Sequence, residues 1–234
     1  IIFRVWLAKL IGSEGIGLYQ LVFSVYMLAS TFAASGICTA VTRLIAEELA
    51  VGTKKGAAKI MRRSVELTLI IALATVVTVF FGAEFIASRF LGDIRAVPAL
   101  KILPLSLPFM GITSCLRGYF IARRKITPNA VSQLFEQAVR IILVVILVKS
   151  FYKKGLAACC GAVLFADCAA EICSFLLLWV IWLFDTKKLK ITASNSRPPQ
   201  PVVKRIFHIA LPITSGRYLN TALRTAENIL VPKN

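Results

Sequence analysis

Leu116–Arg140 reads LRGYFIARRKITPNAVSQLFEQAVR and joins two apolar runs of membrane-spanning length. Gln133, Glu136, Gln137 and Arg140 stand at i, i+3, i+4 and i+7 in its second half, so on a helix they make one polar stripe. Val131, Leu134, Phe135, Ala138, Val139 and Ile142 take the opposite side. Ionisable groups inside a bilayer are costly, and they turn toward a bundle interior or a water-filled cavity. The stretch therefore predicts a helical hairpin in a membrane, with a binding or transport cavity beside it.

The rest of the 234-residue chain fits that reading. It is 58% hydrophobic with a mean hydropathy of +0.78, above the roughly 45–50% apolar content of soluble domains. The fold class is an all-α polytopic membrane protein, a helical bundle of the cytoplasmic membrane. Seven spans are expected at about Ile1–Ile11 (truncated), Gly17–Val41, Val65–Phe90, Val97–Ala122, Pro128–Val148, Gly155–Phe184 and Ile206–Val231. Both chain ends look cut, as in a fragment. Thr127 is a plausible N-cap, with Pro128 in the first turn. Pro104 and Pro108 should kink the fourth span, and Pro212 the seventh. Residues 1–185 form one transmembrane lobe, 186–203 a cytoplasmic linker containing Asn195–Pro201, NSRPPQP, and 204–234 the first helix of a second lobe.

The net charge is +17. Fifteen Lys and Arg, from Arg43 to Arg205, lie after spans two, four and six, against seven after spans one, three and five. The first group should be cytoplasmic, against anionic lipid. No nucleic-acid-binding signature accompanies the basic charge. The six cysteines lie in or beside apolar helices without metal-type spacing, and the single His208 has no ligand partner nearby in sequence. No P-loop, HExxH or Ser–His–Asp set is present, so no enzyme activity and no cofactor are expected.

The polar residues inside the spans define the expected site. Arg4 lies in the first span. Arg43 and Arg117 end the second and fourth, either snorkelling to the interface or facing a cavity. Glu136 and Arg140 can pair on one helix, as a structural pair or as cavity lining. Asp167 and Glu171, also i, i+4, repel unless a proton, a sodium ion or an arginine of another helix intervenes. Arg217, Asn220, Thr221, Arg224, Glu227 and Asn228 form a stripe along the seventh segment, which either lines a cavity or lies on the membrane surface. Arginine's fork matches phosphate geometry, so several such helices would suit a phosphate-bearing lipid headgroup.

These residues carry a resemblance. Ala8–Gln20 (AKLIGSEGIGLYQ), Ala34–Gly36 with Ala40–Arg43, Leu116–Phe120 followed by Pro128–Gln133, Glu136–Gln137 and Arg140, and Ala210–Thr214 followed by Glu227–Asn228 and Pro232 lie in family order. The chain resembles the polysaccharide-exporter branch of the multidrug/oligosaccharidyl-lipid/polysaccharide superfamily, nearest the stage V sporulation protein B group and related to lipid II flippases. Ile121–Ala122 departs from the more polar, Gly-containing stretch of that pattern. The resemblance implies a MATE-like two-lobe transporter with about six helices per lobe, of which this chain supplies the first lobe and the first helix of the second. It implies alternating access, with an undecaprenyl-pyrophosphate-linked saccharide as cargo and arginines on its pyrophosphate, carried over to Arg4 and Arg43. Glu136, Arg140 and Glu227 match positions of the sporulation group. Sodium or proton coupling would fall to Asp167 and Glu171. The rival readings are a cation-coupled multidrug antiporter, a membrane enzyme of polyprenyl-phosphate chemistry, and a non-transporting scaffold in cell-wall or spore assembly.

Overall fold

A computed structural model describes residues 17, 19–31, 36–51, 54–92, 96–151, 156–187 and 202–230. The expected first span, Ile1–Ile11, lies outside these. Among the described residues every regular element is helical: α1 (19–31), α2 (Ile37–Ala50), α3 (Lys54–Ile86), α4 (Val97–Ile102), α5 (Leu107–Ala122), α6 (Thr127–Phe151), α7 (Leu156–Lys187) and α8 (Val202–Leu230). Among the described residues four segments are long and apolar enough to cross a membrane: Gly56–Arg89, Val97–Ala122, Thr127–Lys149 and Gly161–Thr186. This is a multi-pass protein of the cell membrane.

Three boundaries differ from expectation. The second span is not one helix to Val41, because α2 begins after Gly36, which has a left-handed backbone (φ +77), and runs on to Ala50. Arg43 thus lies inside α2 rather than at its end. α3 starts at Lys54, so the basic run to Arg63 is helix, not loop. Arg63 and Arg62 make i, i+3 and i, i+4 pairs there with Glu66. Thr127 is not the cap of α6. The carbonyl of Ile126 accepts from Asn129 and Ala130 instead, leaving Thr127 as the first helical residue and Pro128 in the first turn, where no donor is lost. The fourth span tightens into a 3-10 turn over Leu103–Ser106 between α4 and α5, at Pro104. α8 continues through Pro212.

The helices pack inside out relative to a soluble bundle. Ile70, Leu73, Val77, Phe81 and Phe85 make an exposed stripe along α3, and Val131, Leu134, Phe135 and Ile142 do the same on α6. These faces meet lipid. Two large apolar clusters, with a small third one around Ala72 and Leu107, form the interior among the described residues. Ile37, Val41, Leu44, Ile45, Ile60, Leu116, Phe120, Leu178 and Ile206 pack at the end that carries the basic residues. Val22, Ala83, Leu100, Val144, Val148 and Leu164 pack at the opposite end. Gly118 brings α5 against α2 so closely that a Cβ there would sit 2.7 Å from the Cys38 carbonyl oxygen.

The turn between α5 and α6 is clamped to the end of α7. Asp185, buried, takes ion pairs from Arg123 and, at 2.6 Å, from Lys125, and it accepts from the Tyr119 hydroxyl at 3.2 Å. The segments after spans four and six therefore share one end of the bundle.

Candidate functional site

The polar stripe of α6 divides in two. Glu136 turns inward, 8% exposed, while Gln133 and Gln137 are exposed. Inward, an ion-pair ladder links four helices. Arg117 of α5 donates to Glu136 Oε2 at 3.2 Å, and Arg140 donates from Nη2 to Oε1 of the same carboxylate at 2.9 Å. Arg140 Nε then lies 2.9 Å from Asp167 Oδ1 of α7. That N–H is off the line to the oxygen, so the contact is charge pairing and not an aligned hydrogen bond. Tyr19 of α1 completes the ladder, its hydroxyl donating to Asp167 Oδ2 at 3.3 Å.

The sequence left open whether Asp167 and Glu171 meet an arginine or a cation. Asp167 meets Arg140. Glu171, one turn on and also buried, has no hydrogen bond or ion pair from any described side chain, though it feels Arg117 and Arg140 as well as Glu136 and Asp167. Two guanidiniums thus face three carboxylates. Fully ionised, the cluster carries one uncompensated negative charge in a low-dielectric interior, which favours a proton or a small cation. Among the described residues no group of three His, Cys, Asp or Glu is arranged to hold a metal ion.

The remaining predicted residues spread over two other places. Arg217 of α8 is exposed. Arg117 Nε is buried with no acceptor among the described residues. Asn220 is exposed and bonds back to the Gly216 carbonyl at 3.2 Å. Arg43 stands apart on α2, its side chain 67% exposed and paired at 3.1 Å with Glu47. Arg4 and the side chains of Arg224, Glu227 and Asn228 lie outside the described residues.

Sequence reasoning missed Tyr19, Glu47, Asp185 and Arg205. Glu47 had a signal, the i, i+4 spacing to Arg43, and Asp185 had one as the lone acid closing a long apolar run. Tyr19 and Arg205 had none, because their partners lie more than a hundred residues away. Cys38, Cys115, Cys168 and Cys173 are free thiols packed among helices.

This all-helical lobe, with a charged ladder between two apolar clusters, can be set beside known proteins. A model described as "Polysaccharide biosynthesis protein" matches residues 1–232. The chain belongs to the polysaccharide biosynthesis protein family. Within curated relatives of this family lobe, stage V sporulation protein B of Bacillus subtilis (strain 168) is 30% identical over 99% of the chain and 45% of its own length. Lipid II flippase MurJ of the same organism is 24% identical over 81% of the chain and 37% of its own length. The chain thus spans less than half of each relative. A MOP superfamily transporter from Pyrococcus furiosus superposes with a TM-score of 0.74 at 19% identity, over 91% of the chain and 46% of that structure. The family lobe therefore has the fold of one lobe of a MATE-type transporter.

Proposed function

We propose that this chain is the first lobe, with the first helix of the second, of a flippase. Its cargo is a lipid-linked oligosaccharide or peptidoglycan precursor carrying an undecaprenyl pyrophosphate, moved across the cytoplasmic membrane by alternating access. One observation carries the reading. Arg117 of α5 retains a buried N–H with no acceptor among the described residues, and Arg217 of α8 is exposed. Guanidinium groups so placed can fork onto phosphate oxygens while the polyprenyl tail stays in lipid. One relative, named for flipping lipid II, agrees with such a cargo. Glu171 serves as the coupling position in this scheme, because the carboxylate surplus beside Arg140 attracts a proton or sodium ion.

The experiment is flipping of a fluorescent undecaprenyl-pyrophosphate saccharide by the protein at its full natural length in proteoliposomes. Arg217→Ala, at an exposed position, should lower flipping at least about tenfold, and Arg117→Lys should lower it less, since a point charge replaces the fork. Undiminished flipping in Arg217→Ala refutes the phosphate role. The carboxylate surplus also favours a second reading, a cation-coupled drug antiporter. Cation-driven drug efflux with no flipping of any polyprenyl saccharide would select it.

A further inference from the structure

α8 is fastened to the lobe at one end only. Among its described side chains the buried ones are Ile206 and Ala210, both in its first nine residues, where it packs on α2 and α3. Leu211, Arg217, Leu219, Asn220 and Leu223, farther along, are exposed. Two contacts of different kinds join the fastened end to α2. At Gly36, just before α2, a Cβ would stand 2.6 Å from the Ala210 carbonyl oxygen and 2.7 Å from the Thr214 hydroxyl oxygen, so the chain meets α8 with no side chain of its own between them. At Glu47, eleven residues on, Arg205 of α8 bonds Oε2 while Arg43 of α2 donates to Oε1 at 3.1 Å. The two contacts are about 16 Å apart along α2. Beside the second is a cavity of about 400 Å³ lined by Arg43, Glu47, Lys204, Arg205, His208 and Ile209.

We propose that α2 and α8 form a gate at the basic end of the bundle, with Gly36 as its pivot and the Glu47–Arg205 pair as its latch. A glycine contact lets one helix tilt on the other with few rotamers to repack. A relative tilt on the order of 15° about it parts the helices at Glu47 by roughly 4 Å, enough to break the pair. Breaking it costs little for two reasons. The side chains of Glu47 and Arg205 are 36% and 32% exposed, and the cavity beside them admits water to the separated ions. Arg43, on the same helix as Glu47, keeps Oε1 through the movement, so the carboxylate is never left alone. A pair this exposed biases an equilibrium by no more than about fivefold, which suits a latch that reopens in every cycle. In this structure the latch is closed, and the far half of α8 stands uncovered by the lobe. The inference rests on the alternating-access part of the flippase reading and not on its cargo.

The test is labelling of the full-length protein in proteoliposomes by a membrane-impermeant maleimide, with Ile206→Cys as the reporter. Position 206 is 1% exposed between α8 and the lobe, so a thiol there reacts when the gate opens. Rates are read above those of the native cysteines. Arg205→Gln in this background should speed labelling about fivefold. Arg205→Lys should speed it less, and it supplies the measurement if Arg205→Gln does not fold. Lys204→Gln removes the same charge one residue away and should leave the rate as it was. Equal rates in Arg205→Gln and its parent, with gel-filtration profile and melting temperature retained, overturn the latch, and so does an equal gain in Lys204→Gln. A contact that only stabilises the fold would tolerate being tied shut, and a gate would not. Glu47→Cys with Arg205→Cys, joined by a reducible cross-linker, should therefore stop flipping, and reduction should restore it. Flipping that survives the tie overturns the gate alone. Faster labelling in Arg205→Gln with no flipping by any form of the protein keeps the gate and removes the flippase reading.

Discussion

Glu136 is the joint of the buried ladder, and its removal has a calculable cost. Its two oxygens hold Arg117 at 3.2 Å and Arg140 at 2.9 Å, and the side chain is 11% exposed. At an effective dielectric near 20, each pair attracts by about 5 kcal/mol before desolvation is counted. Most of that gross energy offsets the cost of taking the ions out of water. Breaking one partner of such a pair still costs about 3–5 kcal/mol, because the other charge stays behind. The two arginines are about a quarter exposed and Arg140 keeps Asp167, which places Glu136→Gln near the lower limit, about 3 kcal/mol. The burden falls on Arg117, whose only described ion pair is with Glu136. Adding Arg117→Gln to Glu136→Gln should therefore recover stability, with a coupling energy of about 1.5–3 kcal/mol. Reversible unfolding of the four proteins of the cycle, in mixed micelles with rising denaturing detergent, measures it. Additivity within about 0.5 kcal/mol would show that Arg117 and Glu136 do not depend on each other, and the ladder would have to be abandoned.

Three further outcomes follow from other contacts. Gly118→Ala should cost about 1–3 kcal/mol in the same unfolding assay, because the new methyl meets the Cys38 backbone oxygen, which cannot swing aside; unchanged stability would mean α2 and α5 are farther apart than described. Asp185→Asn leaves Arg123 and Lys125 without their carboxylate, so limited trypsin digestion of everted membrane vesicles should cut the α5–α6 turn faster than in wild type, and equal rates would count against the clamp. At Glu47, partial burial pushes the carboxyl up, but hydrogen bonds and charge from Arg43 and Arg205 outweigh it and leave it below the ordinary carboxylate value. The folded value is the lower one, so this stabilisation is present in full above pH 4.5 and is lost as pH falls through the depressed value. The melting-temperature gap between wild type and Glu47→Gln should close on acidification, and a gap that widens would contradict the assignment.

The membrane hairpin and the existence of its neighbours were legible in the sequence because long apolar runs separated by basic clusters leave little choice in a bilayer. The pairing of Glu136 with Arg140 was legible because helix geometry alone brings i and i+4 together. The break at Gly36 was hidden inside an unbroken apolar run, and α3 was begun too late because a basic segment looks like loop until Glu66 is seen to pair with Arg62 and Arg63. The polar stripe of α6 was read as one face, yet its halves have different fates: Glu136 and Arg140 meet α5 and α7, while Gln133 and Gln137 do not. Which arginine finds which acid across helices depends on rotation and depth, and periodicity carries neither. That is why Asp167 and Glu171, identical in their sequence signal, end with different surroundings.

The clamp at Asp185 bears on how the chain enters a membrane. Arg123 and Lys125 are synthesised about sixty residues before the acid that holds them. While α5 and α6 are being inserted, these cations lack their carboxylate, and positive charge beside a span favours keeping the turn on its side of the bilayer. Once the end of α7 emerges, Asp185 claims both. The orientation cue is thereby converted into a tertiary contact that joins the hairpin to the end of α7.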